Sequence, residues 1–454
     1  MSPRNLICER IVRFTLAMTI AWTATATTGP VFAGGNNFRS SVGGITVNAL
    51  GVVSKISVED RNELRESLRA DLKPIPNGMS KSSGMRKVSL RKLQSALGEL
   101  VRSGGDLPDD VRYLAGLQRI EYIFVYPEHH DIVLVGPGDG WRIDDNANVV
   151  GLTNGRPILQ LDDLLVALRT IKPARAEGIS CSIEPTEEGR VRLMKYLSKQ
   201  KEFHQRVPQE IERTLGRQNI TVTGVPLTSH FAHVLVAADI RMKRIAMKLD
   251  ESPIETLTSY MDFLQPGSKV TSLMPRWWLA CDYDPLARSE DGLAWQLRGN
   301  GVKCMTQEDF IAADGTTEAS DKKNPVAQQW ADMMSLQYSQ LASKETLFAE
   351  LRNLMDLCVV AALIEVEGLT DKSGLSLSFL TDPHGDLMLE SWNPPRGVPS
   401  QVSMVKKKGR YIISASGGVE IDSFFVASRS EVVEIIGGLR RESPVPDDAS
   451  WWWN

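Results

Sequence analysis

Cysteine is scarce: five occur in 454 residues, and Cys181, Cys281, Cys304 and Cys358 stand far apart with no C-x-x-C pair. That excludes a zinc knuckle, a thioredoxin-type redox site and a disulfide scaffold. An excess of basic charge is also missing. Lys and Arg number 52 against 56 Asp and Glu, for a formal charge of -4, so nothing attracts the chain to nucleic acid or to an anionic membrane. Long apolar runs are absent after the first 33 residues. The most apolar stretch, 357–364, lies between Asp356 and Glu365 and is far shorter than the about 20 residues that span a bilayer. It predicts a buried core helix and no transmembrane segment in the mature chain.

Catalytic signatures are lacking as well. G-x-S-x-G, H-E-x-x-H and G-x-x-x-x-G-K-[ST] do not occur, which removes the nucleophile elbow, the zincin helix and the phosphate loop. S-x-x-K at Ser198 and Ser403 is what chance supplies. The glycine-dense segment 136–140 lacks the lysine and hydroxyl of a phosphate loop and reads as a turn. Asp382-Pro383-His384-Gly385-Asp386 reads as a turn too, and Glu128-His129-His130-Asp131 as a solvated hairpin loop, because successive loop side chains rarely converge on one ion. No metal site and no cofactor are expected.

What is present begins with Arg4, Arg10 and Arg13, an apolar stretch over 14–22, and a small polar run closing on Val31-Phe32-Ala33. This order predicts a cleavable signal peptide over 1–33 and export to the periplasm, cell surface or medium. The whole chain is 42% hydrophobic and 24% charged, and this composition predicts that the remainder is a soluble globular protein with a core.

The fold class expected is α+β. A first lobe, 34–265, is mixed α/β: a small strand pair around 43–53, helices marked by Leu64, Leu68 and Leu72 and by Leu90, Leu93, Leu97 and Leu100, a loop over 74–84, a hairpin at 122–135, and alternating strands and helices to about residue 249. The boundary falls at 264–268. A second lobe, 266–440, is α+β, with strands at 276–283, 293–298 and 302–306, helices from Pro325 and Lys344, and a hairpin of 411–415 with 419–424 turned by Ser416-Gly417-Gly418. If the first three strands pair in chain order, Cys281 and Cys304 stand two strands apart, about 9–10 Å, outside disulfide reach. The tail 441–454, ending in three tryptophans, reads as flexible, with its rings either free to touch a partner or folded back.

The most organised polar feature follows Ser229. Projected at 100° per residue, the helix from His230 carries apolar stripes on two sides, and His230, His233, Arg241, Arg244 and Lys248 fall on a strip between them. The arginines would repel a metal ion, whereas an anion suits both the strip and the helix N-terminus. An internally paired face is the plainer alternative. Trp277 and Trp278 point to opposite faces of a strand, so one ring is a possible aromatic contact for carbohydrate or a partner.

Six segments together resemble a known family: GPGDGW at 136–141, LDDLLVALR at 161–169, ISCSIEPTEEGR at 179–190, HFAHVLVAADIRMKRIAM at 230–247, SEDGLAWQLRG at 289–299 and LRNLMDLCVVAALI at 351–364. The chain is similar there to a group of exported planctomycete proteins, domain of unknown function fifteen ninety-eight. The resemblance implies export and assigns no activity. The leading reading is therefore an exported, non-catalytic binding or structural module. An anionic small-molecule binder or hydrolase using the His/Arg strip is the second, and attachment to carbohydrate or the cell surface the third.

Overall fold

Strands that leave one face to water and strands covered on both faces differ in sequence, and both kinds occur here. ISCSIEP alternates apolar with polar residues, whereas YIFVY and DIVLV are nearly continuous apolar runs. The computed structural model describes residues 41–200, 204–264, 275–311, 317–320, 324–406, 410–448 and 450–454. All belong to one compact unit, Asn37–Asn454. The predicted signal segment and the stretch 265–268 lie outside the described residues.

The architecture is α+β, built on two seven-stranded sheets. The strands, in chain order, are β1 (Ser83–Ser89), β2 (Tyr122–Tyr126), β3 (Asp131–Gly138), β4 (Ile179–Pro185), β5 (Arg217–Thr223), β6 (Arg276–Asp282), β7 (Leu286–Arg288), β8 (Ala294–Gln296), β9 (Gly301–Ile311), β10 (Thr317–Ser320), β11 (Gly397–Pro399), β12 (Ser416–Ile421), β13 (Ser430–Val432) and β14 (Trp452–Trp453). One sheet has the order β10-β9-β6-β12-β4-β5-β11, the other β13-β7-β8-β2-β3-β1-β14. Each draws strands from both sides of residue 265, so the stretches read as two lobes share their hydrogen-bonded layers.

Helices pack on both sheets. The main ones are α1 (Val58–Asp71), α2 (Leu90–Ser103), α3 (Leu161–Glu177), α4 (His230–Ala246), α5 (Pro325–Leu336), α6 (Thr346–Val366) and α7 (Glu434–Arg441). Helix α4 packs on β4, β6 and β12, α6 packs on α3 and α4, and the short helix Leu369–Ser373 joins α6 to β2 and β3. Ile179, Cys181 and Ile183 of β4 point into this layer, and Ser180, Ser182 and Glu184 point out of it. On the other sheet, Ile123, Val125, Ile132 and Leu134 face the helical layer, while Phe124, Tyr126, Val133 and Val135 meet Ile436 of α7 on the far side. Helix α6 is buried nearly all round, and Asp356, fully buried on it, is answered by Arg119 Nε at 2.8 Å and the Tyr283 hydroxyl at 2.7 Å. No helix among the described residues is long and apolar enough to cross a membrane.

Several expectations are corrected. The segment 411–424 is not a hairpin: Arg410–Ile413 pairs with Ser403–Lys406, and β12 runs inside the first sheet, parallel to β6 and antiparallel to β4. Ser416-Gly417-Gly418 is the start of that strand, and its glycines are needed because the neighbouring backbones leave no room for side chains at 417 and 418. A Cβ on Gly417 would lie 1.6 Å from Trp277 O, and one on Gly418 would lie 1.7 Å from Cys181 O. Gly136 and Gly138 likewise sit within β3, where a Cβ on Gly136 would meet Arg119 O at 2.0 Å. β1, polar in sequence, begins at Ser83 inside the stretch read as a loop.

The three strands after residue 275 do not pair in chain order. β8 leaves for the second sheet, and β6 lies directly beside β9, with Cys281 opposite Val302 and Cys304 opposite Leu279. The thiols remain free because they are two register positions apart. The tail is not loose either: β14 pairs with β1, with Trp452 opposite Val88 and Trp453 opposite Lys87. Asn454 Oδ1 accepts from Arg86 Nε at 3.0 Å, and the Arg86 guanidinium lies 5.3 Å from the Trp452 ring centre.

A candidate binding cavity at the start of helix α4

Two helices begin side by side here. Ser229 caps α4 by accepting from Ala232 N at 3.2 Å, which fixes His230 at the first helical position. Helix α3 starts after Gln160 and places Asp163 in its first turn. The buried His230 Nδ1 lies 2.9 Å from Asp163 Oδ2 and 3.1 Å from Oδ1, and its Nε2 lies 3.3 Å from Gln160 Nε2. With the amide nitrogen donating, that Nε2 carries the lone pair. An imidazolium instead requires the amide to turn its oxygen inward. Burial opposes the charged ring, but the charge and hydrogen bond of Asp163 outweigh it and hold His230 up to about 9.

One helical turn on, His233 is treated differently. It is also buried, but its Nε2 meets the Asn393 carbonyl at 2.8 Å and no carboxylate, so burial dominates and pulls it down to about 4. With the carbonyl as acceptor, Nε2 carries the proton, and the ring is neutral at pH 7. The edge of Trp392 packs against both imidazoles, at centroid distances of 5.2 and 5.0 Å.

His230 opens onto a cavity of about 580 Å³ between α1, the segment 106–113 and the 390–392 turn. Glu350 of α6 reaches the same cavity. Its carboxyl is pushed up to about 7, first by burial, with His230 pulling it down and Asp163 and Asp144 pushing it up. Glu350 has no hydrogen-bond or ion-pair partner in contact among the described residues. The wall also carries Asp71, Asp106, Asp109 and Glu390 against Lys73 and Arg112, with apolar surface from Leu64, Leu68, Tyr113 and Trp392. Carboxylates are in excess, so a positively charged group is favoured inside.

The arginines of the predicted strip are elsewhere. Arg241 and Arg244 line a second cavity of about 850 Å³, beside Lys55, Arg61 and Lys344. Both forks are already filled. Arg241 Nε and Nη2 donate to Glu345 at 2.7 and 3.0 Å, and Arg244 Nε and Nη2 donate to Asp250 at 2.6 and 2.8 Å. Lys248 pairs with Asp262 at 2.6 Å. The four residues expected to act together on an anion are therefore not one site. The α4 surface is curved into two environments by what packs on each end, which a helical projection does not contain.

The aromatic pair divides as its alternation requires. Trp277 is buried against Tyr260 and Trp330, each at 5.0 Å, whereas Trp278 is half-buried on the outer face of the first sheet. Trp295 is buried in the other sheet. The 128–131 segment does not converge on an ion: His130 Nδ1 meets Ser373 O at 3.2 Å, and Asp131 turns inward to receive the Ser89 hydroxyl. Among the described residues no group of three or more metal-ligating side chains gathers.

Of the cavity's main groups, only His230 stands out in sequence. Asp163 reads as a dipole-compensating acid in a helix start, Gln160 as a loop residue, and Glu350 as an exposed acid near a helix start. The signal for Glu350 is weak but present, since it sits about two turns before the apolar run of α6.

Over residues 181–260 the chain matches a family described as protein of unknown function (DUF1598). The match is to a segment, not to the chain as a whole. That segment holds most of β4, all of β5 and α4, hence His230 and His233, and leaves out Gln160, Asp163, Glu350 and Trp392. No curated protein and no solved structure matches.

Proposed function

We propose that this is an exported binding protein for a small amphipathic cation, held in the cavity at the start of α4. The observation that carries the reading is Glu350, a carboxyl on the cavity wall with no cation in contact among the described residues, in a lining where acids outnumber bases. An ammonium group would replace the missing partner, and Tyr113 and Trp392 would take the apolar body. Export rests on the basic, apolar and small-residue order of 1–33, and the acidic balance of the chain argues against nucleic acid as partner.

The test is a thermal-shift series with choline, cadaverine and phenethylamine against their neutral alcohol counterparts. A bound amine raises Tm in proportion to its occupancy, and Glu350→Gln removes the rise. Equal shifts with the alcohols, or an unchanged response in Glu350→Gln, would reject the reading.

A second reading is proton-transfer catalysis. His230 held at about 9 and Glu350 at about 7 in one cavity are two titratable groups whose environments set their proton affinities apart, as an acid and base pair requires. Turnover of an amine-bearing substrate that falls with both His230→Gln and Glu350→Gln would favour it over simple binding.

A further inference from the structure

The outer face of the first sheet has a hollow that shares no lining residue with the cavity at α4. It arises from a cross-strand row. Trp278 of β6 is in register with Gly418 of β12, Gly418 with Ser182 of β4, and Ser182 with Thr221 of β5. Gly418 is required by the close approach of the Cys181 carbonyl, and it has a second consequence: beside the indole the row has no side chain. The next row places Ala280, Glu420, Ser180 and Thr223 across the same four strands. The result is a hollow of about 530 Å³ with a tryptophan at one side and hydroxyls and a carboxylate along the floor.

We infer that this hollow is a carbohydrate subsite, taking a pyranose ring of an oligosaccharide. A pyranose has a flat C–H face and a rim of hydroxyls. It therefore needs an aromatic plane beside a polar, hydrogen-bonding floor, and the absent side chain at 418 leaves a sugar room to lie against Trp278. Glu420 is exposed and has no ion-pair partner among the described residues, which leaves both oxygens to accept from sugar hydroxyls. Of the lining hydroxyls, Ser180, 2.8 Å from the Thr223 hydroxyl, and Ser182, which donates to Glu184 at 3.1 Å, keep lone pairs for further hydroxyl donors. An anionic ligand fits poorly, since Glu420, Asp422 and Glu177 line the hollow against Arg175 and Arg276.

The experiment titrates the mature protein with cellohexaose, chitohexaose and maltohexaose, using saturation-transfer NMR to detect binding and calorimetry to measure it. At least one oligosaccharide binds the wild type. Trp278→Ala weakens it by about tenfold or more, Trp278→Phe keeps most of the affinity, and Glu420→Ala, an exposed change that leaves the ring in place, weakens it by at least about threefold. Failure of all three sugars to bind overturns the inference, and so does unchanged affinity in Trp278→Ala and Glu420→Ala. Neither variant touches the cavity at α4, so amine responses there are unaffected whichever way this result falls.

Discussion

The two ends of helix α4 carry the same kind of residue and treat it in opposite ways. At the start, His230 is enclosed with Asp163 and faces a cavity with an unanswered carboxyl. At the end, Arg241 and Arg244 hold Glu345 and Asp250 in bidentate pairs on a wall that keeps about a fifth of each side chain in water. A charged strip on a helix is therefore not a functional unit. Burial raises the cost of leaving a charge unpaired, and water lowers the value of pairing it.

The largest effect is expected from Asp163→Ala, which removes the charge that holds the His230 proton, so that burial drives the ring to its neutral form as it does at His233. A loss of about 3 kcal/mol in urea unfolding at pH 6 is expected, on the order of what the lost shift represents. A loss comparable to that of an exposed pair would break the comparison.

The next effect is a pH dependence of stability. His230 binds its proton more tightly folded than unfolded, about 9 against 6.5, so its contribution is complete below 6.5 and disappears as pH rises through 9. Glu350, about 7 against 4.5, has the same sign over a lower window, and His233, about 4 against 6.5, has the opposite sign and loses its contribution as pH falls through 4. Unfolding free energy therefore declines between pH 6.5 and 9 by a few kcal/mol, on the order of what such shifts represent. A flat profile in wild type, or an identical decline in His230→Gln, would show that the pair with Asp163 is not what sets it.

Smaller again, Glu350→Gln removes a carboxyl that the folded state holds protonated too long. It should gain about 1–2 kcal/mol at pH 8 and nothing at pH 4.5, read as a difference in Tm between the two conditions. The least effect belongs to the other end of the helix, where Arg244→Ala is expected to cost about 1 kcal/mol or less and to lose part of that cost in 1 M salt. A salt-insensitive loss of several kcal/mol would make the two ends alike after all.

How much was legible follows the same division between local and distant causes. Helix starts were readable because a cap is local. Thr186 accepts from Gly189 N at 3.0 Å, Ser229 from Ala232 N, and Asn324 from Val326 N at 3.0 Å. The hairpin of β2 and β3 was readable because both strands are apolar runs joined by a short turn. Glycine-rich stretches misled twice, at 136–140 and at 416–418. Glycine marks either a turn or a backbone that another chain segment crowds, and only the neighbour at Arg119 or Cys181 decides which. The pairing of β6 with β9 was hidden because β8, between them in sequence, serves the other sheet.

The candidate site was legible in part. Helical spacing pointed to His230 only as one member of a basic strip with His233, Arg241 and Arg244, read as a site for an anion. It could not supply Asp163, 67 positions earlier, or Glu350, 120 positions later, since each reads as an ordinary surface acid until folding removes water from around it.

The sequence alone determined the α+β class, several helix starts, the burial of the apolar run in α6 and the opposite faces of Trp277 and Trp278, because each follows from residue type at helical or strand period or from a local cap. Tertiary structure decided which strands share a sheet, which glycines are turns, and which charges meet. Those outcomes depend on what arrives from far along the chain, and a buried charge acquires its proton affinity only from the groups that finally surround it.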